Sequence, residues 1–356
     1  MSQPVKILIV DDSALIRAHL KQQISGLAGA QVVGLAPDPF IAREILLRES
    51  PDLILLDMEM PRMDGLTFLR KIMKFKPTPT LVVSSVTPRG SNTALACLEA
   101  GAIDVLCKPD SAYSIDDLQG QIERWIHEVA RQGSAAMARR QTSLAKLPEV
   151  LAPGSSIATT NRLVAIGASA GGPETLKHLL VALPRSAPGI AIVQHMGPQF
   201  LAQMAERLNR EARIEVKLAA SGDSVQPGRA LLAPGDTHMR IVRRGARYQV
   251  LLEDGPNVAG HKPAVDVMFQ SVAECAGTNA MGTVLTGMGN DGADGIIALK
   301  AAGARTMAQD EATSIVYGMP ARAIETGKVE RVLPLGEIPK AIVEFGAATG
   351  SQRAAQ

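Results

Sequence analysis

Residues 6–20 read KILIVDDSALIRAHL: a short apolar run, two aspartates and then an amphipathic run. A short run of Ile, Leu and Val is typical of a buried parallel strand, and the spacing that starts at Leu15 is typical of a helix. The first third of the chain repeats this alternation. Strands are predicted at Ile7–Val10, Leu53–Leu56, Leu81–Val83 and Ile103–Leu106, and helices at Leu15–Leu27, Ile41–Arg48 and Leu66–Phe75. The pattern predicts a doubly wound α/β domain.

The alternation stops near residue 131 and resumes near residue 161. Residues 131–160 are rich in Gly, Ser, Ala and Pro, which is the composition of a linker. Beyond the linker, further strands are predicted at Leu163–Ile166, Ile190–Val193, Ala230–Leu232, Tyr248–Leu252 and Thr283–Leu285. We therefore predict two α/β domains, at 1–130 and 161–346, with a flexible tail at 347–356. The second domain is expected to be a doubly wound parallel sheet of the Rossmann-like kind.

Composition narrows the possible partners and the cellular address. The chain has 356 residues, 46% of them hydrophobic, which is enough for two buried cores. A net charge of +2 and 3% aromatic residues argue against nucleic acid as a partner. The spacing of Cys97, Cys107 and Cys275 is typical of reduced thiols and not of a metal site. The first strand starts too early for a signal peptide, and no apolar run is long enough to span a membrane. We expect a cytoplasmic protein that is not inserted in a membrane.

The first domain carries carboxylates at its predicted strand ends. Asp11 and Asp12 follow the first strand, and Asp57 follows the strand Leu53–Leu56. The carboxyl ends of parallel strands meet at one edge of the sheet, where ligand sites of α/β proteins form. Such crowded carboxylates suit Mg²⁺, although a helix cap or a solvated loop is the simpler explanation of each residue alone. Lys108 could supply a countercharge at this edge.

The stretch DMEMPRMDG at 57–65, together with these strand ends, resembles the receiver domain of response regulators over about residues 4–128. The resemblance implies a flavodoxin-like fold and Asp57 as the residue that accepts a phosphoryl group from a histidine kinase. It also implies Mg²⁺ as the cofactor of that reaction, held by Asp11, Asp12 and Asp57.

The resemblance to receivers also implies that Ser84 and Lys108 sense the phosphoryl group, and that the Lys108–Pro109 bond is cis. Val105 departs from the pattern, since receivers commonly place an aromatic residue there.

The second domain carries a candidate nucleophile in GASAGGP, residues 167–173. This stretch lies between the strand Leu163–Ile166 and a predicted helix at Glu174–Leu183. A strand–turn–helix junction places Ser169 near a helix N-terminus, where free N–H groups can stabilise an oxyanion. Two other interpretations stay open at this point: a helix-capping serine in a tight turn, and a phosphate loop for a dinucleotide.

His195 and Asp291 are the candidate partners of Ser169. His195 follows the next predicted strand, so it lies at the same sheet edge as Ser169 and is a plausible general base. A dinucleotide site needs an acid at this strand end, and Gln194-His195-Met196 has none. Asp291 follows the strand Thr283–Leu285 and could orient the imidazole, with Asp294 as an alternative. Taken alone, the Asn-Asp-Gly around Asp291 is more typical of a turn.

Five segments together resemble the CheB family, the chemotaxis protein-glutamate methylesterases, and with the receiver the resemblance spans essentially the whole chain. The segments are GASAGG (167–172), QHM (194–196), APGDTHM (233–239), HKPAVD (261–266) and LTGMGNDG (285–292). The resemblance implies a catalytic triad of Ser169, His195 and Asp291 that needs no cofactor. It also implies an oxyanion region and pocket around Ala170, Gly171 and Met288.

The CheB resemblance further implies the substrates and the control of the enzyme. The substrates would be γ-methyl esters of glutamate, and some glutamines, on chemoreceptors, and the phosphodonor would be the chemotaxis histidine kinase. We expect a monomer. Ala170 and the segment 319–323 depart from the family pattern. These departures leave a second hypothesis, a phospho-switched binding module without catalysis.

Overall fold

The computed structural model describes residues 3–84, 88–108, 115–143, 151 and 162–347. The chain divides into two compact units, Met1–Ala145 and Lys146–Gln356. Part of the predicted linker is helical, because a helix covers Ser134–Ser143. Linker residues 144–150 and 152–160, the predicted tail beyond Ala347 and the bond to Pro109 lie outside the described residues.

The first unit is built on a five-stranded sheet of order β2-β1-β3-β4-β5, in which all neighbours are parallel. The strands are β1 (Val5–Val10), β2 (Ala30–Ala36), β3 (Leu53–Asp57), β4 (Thr80–Ser84) and β5 (Asp104–Cys107). The sheet confirms the predicted α/β class. Strand β2 was not predicted, because it is a partly exposed edge strand and lacks a continuous apolar run.

Helices surround this sheet and begin at local capping signals. They are α1 (Ala14–Ser25), α2 (Pro39–Glu49), α3 (Gly65–Phe75), α4 (Pro88–Glu99), α5 (Ile115–Gln132) and α6 (Ser134–Ser143). The side chains of Ser13, Asp38 and Asp64 accept hydrogen bonds from first-turn amides of α1, α2 and α3. The loops that leave β1 and β3 are thereby held close to the strand ends.

The second unit is built on a seven-stranded parallel sheet of order β15-β14-β13-β6-β7-β10-β8. Its strands are β6 (Leu163–Ala168), β7 (Gly189–Gln194), β8 (Glu215–Leu218), β10 (Arg229–Leu232), β13 (Ala280–Val284), β14 (Arg305–Gln309) and β15 (Arg331–Leu333). Strands β6, β7 and β13 are buried along their whole length. The predicted parallel sheet of the second domain is confirmed.

A smaller antiparallel sheet of order β11-β12-β9 accompanies the large one. It consists of β9 (Ser224–Val225), β11 (His238–Arg244) and β12 (Arg247–Glu253). The predicted strand Tyr248–Leu252 lies in β12, so it does not belong to the parallel sheet. Its residues alternate between buried and less buried positions, as expected for a sheet with one covered face.

The helices of the second unit are α7 (Gly172–Ala182), α8 (Pro198–Glu211), α9 (Val265–Ala276), α10 (Ala293–Ala301), α11 (Met319–Glu325) and α12 (Ile338–Ala347). Helix α9 contributes Met268, Phe269 and Val272 to a core that also includes Val193 and Leu231. Among the described residues, no helix has both the length and the apolar character needed to cross a membrane.

Candidate functional site

Three carboxylates meet at the carboxyl edge of the first sheet. Asp11 and Asp12 follow β1 and Asp57 ends β3, and one oxygen from each lies within 4.8 Å of the others. Asp11 and Asp57 are buried, whereas Asp12 is exposed. The structure therefore brings together the three residues predicted to hold a metal ion.

Lys108 supplies the positive charge of this cluster. Its Nζ lies 2.7 Å from Asp57 Oδ1 and 3.1 Å from Asp11 Oδ2. Burial raises the pKa of Asp57; Lys108 opposes this rise, and the charge of Asp11 adds to it. Burial acts to lower the pKa of Lys108, but Asp57 and Asp11 outweigh it and raise that pKa, so the amine stays protonated. Ser84 ends the neighbouring strand β4 and is buried, and its carbonyl oxygen accepts a hydrogen bond from the Lys108 amide at 2.9 Å.

The donor set of the cluster fits Mg²⁺. The second oxygen of Asp57, Oδ2, is buried and has no hydrogen-bond partner among the residues that the structure describes. Its first oxygen, Oδ1, is already engaged by Lys108 and by the amide of Met58 at 2.7 Å. A hard cation that takes oxygen ligands and retains some of its water would satisfy the free oxygen.

Ser169 lies in a tight turn between β6 and α7 that consists of Ser169, Ala170 and Gly171. Gly171 has φ +73°, a conformation that favours glycine. An added Cβ at Gly172 would overlap the side-chain amide of Gln194. The glycines are therefore needed for the sharp turn and for its close approach to the neighbouring strand end.

Hydrogen bonds to both neighbouring strands hold this turn in place. The Ser169 amide donates to the carbonyl of Thr286 at 3.0 Å, and the Thr286 hydroxyl lies 2.9 Å from the carbonyl oxygen of Ala170. On the other side, Gln194 Nε2 donates to the carbonyl of Ser169 at 2.8 Å. The Gly172 amide also donates to that carbonyl, at 2.8 Å. The backbone position of Ser169 is thus set by tertiary contacts as well as by the local turn.

His195 and Asp291 form a buried pair. They come from the loops after β7 and β13, which flank β6 on opposite sides. His195 Nε2 lies 2.8 Å from Asp291 Oδ2, and the two side chains are 7% and 1% exposed. Burial acts to raise the pKa of Asp291, but the hydrogen bond and charge of His195, with the amides of Asp266 and Val265, outweigh it and lower that pKa. Asp291 is therefore ionised; Asp294, the alternative acid, is exposed on α10.

The other nitrogen of His195 is the one free to accept a proton. Because the carboxylate of Asp291 accepts a hydrogen bond from Nε2, the lone pair of the neutral ring lies on Nδ1. Nδ1 is buried and has no hydrogen-bond partner, so no hydrogen bond joins it to the Ser169 hydroxyl in the described chain. The backbones are adjacent, since the His195 amide donates to the carbonyl of Ala168 at 3.0 Å. An unpartnered basic nitrogen therefore lies at the strand end next to Ser169.

Three amide groups near Ser169 remain open to an incoming oxygen. Within the part of the chain that the structure describes, no hydrogen bond is made by the amides of Ala170, Gly171 or Met288. Ala170 and Gly171 are buried directly before the N-terminus of α7, where the helix dipole favours negative charge. Met288 is half-buried in the loop after β13.

Two family models match the chain: CheB methylesterase over residues 164–342 and response regulator receiver domain over residues 7–119. A relative from Anaeromyxobacter dehalogenans, named protein-glutamate methylesterase/protein-glutamine glutaminase 4, is 49% identical over 97% of this chain and 96% of its own. A similarly named relative from Pseudomonas aeruginosa is 48% identical over 98% of this chain and 99% of its own. The chain belongs to the CheB methylesterase family.

The CheB family is also represented by a similar solved structure. The catalytic domain of Thermotoga maritima CheB methylesterase is 36% identical, with a TM-score of 0.51, over 52% of this chain and 98% of that one. The predicted receiver and hydrolase folds are confirmed by these comparisons. They also confirm the predicted protein-glutamate methylesterase and glutaminase, in preference to a binding module without catalysis.

Several residues that support the site of this CheB-family chain were not predicted from its sequence. Gln194 and Thr286 hold the Ser169 turn, and His261 stacks on His195 with ring centroids 3.7 Å apart and ring planes 8° apart. A polar residue that closes a buried apolar strand, as Gln194 does, is a signal that could have been used. Nothing local to His261 indicates the stack.

Two further histidines, His238 and His178, are buried, and each lies within hydrogen-bond distance of a backbone carbonyl oxygen. His238 is buried; its Nε2 lies 2.9 Å from the carbonyl oxygen of Pro256, and its Nδ1 accepts from the Ala264 amide at 3.2 Å. His178 is buried on α7, and its Nδ1 lies 3.1 Å from the carbonyl oxygen of Glu174.

The stack predicts that His261 holds the ring of His195 in its orientation. The variant His261→Ala should lower kcat by about two- to tenfold, because an aromatic pair contributes roughly 0.5–1.5 kcal/mol. His261→Phe should restore most of the loss, since it preserves a flat ring against His195. The measurement is methanol release from methylated receptor, with His127→Ala, an exposed position on α5, as the control. Unchanged kcat in His261→Ala would show that the stack is incidental.

Proposed function

We propose that this chain hydrolyses γ-methyl esters of glutamate on the cytoplasmic helices of chemoreceptors, and that phosphorylation of Asp57 increases this activity. The observation that carries the proposal is the buried His195–Asp291 pair, whose free Nδ1 lies at the strand end beside the Ser169 turn. This arrangement supports a relay of hydroxyl, imidazole and carboxylate.

In the first half of the reaction, the Ser169 hydroxyl oxygen attacks the ester carbonyl carbon. Its proton passes to Nδ1 of His195, and the ionised Asp291 stabilises the imidazolium through Nε2. When the tetrahedral intermediate collapses, the bond to the methoxy group breaks and His195 returns the proton, so methanol leaves. The receptor glutamyl group is then held as an ester of Ser169.

In the second half, water replaces methanol. His195 takes a proton from the water, the resulting hydroxide attacks the acyl carbon, and the proton returns to the Ser169 oxygen as glutamate is released. A glutamine side chain passes through the same kind of intermediate with ammonia as the leaving group, so the same groups support deamidation. No cofactor takes part in these steps.

The negative oxygen of each intermediate needs donors that are already in place. The open amides of Ala170 and Gly171 at the start of α7, and of Met288 from the facing loop, are the candidates. Because these backbone groups belong to turns fixed from both sides, they require little reorganisation when charge develops.

The receiver site is proposed to supply control. The chemotaxis histidine kinase would donate a phosphoryl group to Asp57, with Ser84 and Lys108 contacting its oxygens. Asp11, Asp12 and Asp57 would hold Mg²⁺, which neutralises charge on the transferring phosphoryl group when bound. In the unphosphorylated state the receiver would keep the activity of the hydrolase low, and phosphorylation would release this inhibition.

The decisive experiment is methanol release from methylated receptor membranes, measured with and without a small-molecule phosphodonor and Mg²⁺. We expect methanol release that requires the enzyme and increases when the phosphodonor is added. In this proposal the enzyme acts as a monomer in the cytoplasm. An enzyme that releases no methanol in either condition would contradict the proposal.

Asp57→Asn should remove the response to the phosphodonor and leave basal methanol release intact. The parent should respond by about fivefold or more, the lower end of a typical coupling between two sites. Asn fills the same space but cannot form the acyl phosphate. Glu59→Gln, an exposed acid in the same loop, is the matched control and should respond as the parent does.

The same assay tests whether the unphosphorylated receiver inhibits the hydrolase. Residues 160–356 expressed alone should release methanol faster than the unphosphorylated full chain and should not respond to the phosphodonor. A fragment that is slower than the full chain, or equal to it, would exclude inhibition by the receiver.

A further inference from the structure

Helices α9 and α10 of the hydrolase unit begin without a cap of their own. The residues before α9 and α10, Ala264 and Gly292, make no side-chain hydrogen bond to the first turn. The first amides of a helix have no partner inside the helix, and burial without one is unfavourable. Instead, the first amides of α9 donate to a carboxylate from the loop before α10, and the amides at the start of α10 donate to a carboxylate from α9.

The two carboxylates belong to Asp291 and Asp266. Asp291 accepts hydrogen bonds from the amides of Val265, at 2.7 Å, and Asp266, at 2.8 Å, at the start of α9. Asp266 Oδ1 accepts from the amides of Gly292, at 2.9 Å, and Gly295, at 2.7 Å, at the start of α10. Asp291 thus caps α9, which carries Asp266, and Asp266 caps α10, which follows Asp291.

The fit around Asp266 is close. Its side chain is buried, and a Cβ added to Gly295 would lie 3.1 Å from Asp266 Oδ1. Gly292 has φ +98°, which a residue with a side chain rarely adopts. The loop that carries Asp291 is therefore shaped to bring two amides onto a single carboxylate oxygen.

We propose that Asp266 is a positioning residue of the hydrolase: its carboxylate holds the loop that carries Asp291, and its negative charge favours the imidazolium of His195. The inference rests on the proposed role of Asp291. It concerns a residue that does not touch the substrate and acts through the His195–Asp291 pair.

The charges around Asp266 give the proposal a pH signature. Burial raises the pKa of Asp266 to about 6; the amides of Gly295 and Gly292 oppose this, and the charges of Asp291 and Asp294 add to it. The pKa of Asp291 is lowered, so on acidification Asp266 takes up a proton first. Ionised Asp266 places a second negative charge behind the His195–Asp291 pair and favours the imidazolium. Without that charge the imidazolium is less favoured.

The test compares two variants of the full chain. Asp266→Ala removes the acceptor of two amides and should lower kcat roughly 10²-fold with little change in KM, because Asp291 is no longer held in place. Asp266→Asn keeps one oxygen for both amides and should stay within about tenfold of the parent. In the pH profile of kcat/KM, the acid limb of Asp266→Asn should shift to lower pH by roughly half a pH unit or more.

Controls separate this inference from the function on which it rests. Glu274→Gln, an exposed acid on the same helix α9, should behave as the parent. If Asp266→Ala fails to fold in thermal unfolding, the acid limb of Asp266→Asn decides alone: a downward shift supports the proposal and an unshifted limb overturns it. Parent-like kcat in a folded Asp266→Ala also overturns it. A parent that releases no methanol and whose Ser169 resists fluorophosphonate would instead refute the proposed function.

Discussion

Ser169→Ala is expected to abolish methanol release, with kcat/KM lower by roughly 10⁴- to 10⁶-fold, as for other enzymes that lose a nucleophile of this kind. In the proposed mechanism the hydroxyl oxygen forms the acyl-enzyme, and alanine removes only that oxygen. The turn itself should survive, because its hydrogen bonds to Thr286 and Gln194 use the backbone of Ser169. Binding of methylated receptor should therefore persist.

Labelling provides a second measurement of the same prediction. A fluorophosphonate should modify the parent at Ser169 and leave Ser169→Ala unmodified, which separates an esterase from a binding module without catalysis. Ser186→Ala, at an exposed position after α7, is the matched control and should match the parent in both assays. Methanol release near the parent rate by Ser169→Ala would eliminate Ser169 as the nucleophile.

Asp291→Asn should lower kcat by about 10⁴-fold while the protein stays folded. The carboxylate of Asp291 accepts three hydrogen bonds, from His195 and from the amides of Val265 and Asp266. An asparagine has only one oxygen, so in either orientation its NH₂ group faces a backbone N–H. If the NH₂ group takes the place of Oδ2, it also faces His195 Nε2 and favours the tautomer with the proton on Nδ1, which cannot accept the serine proton.

Stability should fall as well, by about 1–3 kcal/mol, because a buried backbone amide is left without an acceptor. Thermal unfolding measures this loss, and methanol release measures kcat. Asp294→Asn is the control, because it removes an equal charge from an exposed position in the first turn of α10. It should leave kcat and the unfolding temperature as in the parent. A fully active Asp291→Asn would exclude an orienting role for this acid.

Local patterns were sufficient to predict the class of both domains. Runs such as Leu53–Leu56 and Leu163–Ile166 are buried strands in the structure, because a strand that is apolar on both faces is stable where helices cover both faces of a parallel sheet. Strand β2 and the antiparallel placement of β12 were not predicted. A partly exposed edge strand has no distinct pattern, and half-buried alternation does not reveal which strand will be its neighbour.

The residues of the candidate site that lie at strand ends could be predicted from the sequence. Ser169, His195 and Asp57 follow or end strands of parallel sheets, and this alone places them at ligand-binding edges. Asp291 was the weaker prediction, because its Asn-Asp-Gly context is typical of a turn. Its pairing with His195, 96 residues away in the chain, required the order β13-β6-β7.

Apolar periodicity and glycine turns act over a few neighbouring residues, so local sequence is enough to specify the two α/β domains and the residue types at their strand ends. Three features depend on tertiary contacts. These are the nitrogen of His195 that faces Asp291, the stacking of His261 on His195, and the capping of α9 by Asp291 and of α10 by Asp266. These contacts join segments that are far apart in the chain. They form because buried donors and carboxylates must find partners once water has been excluded.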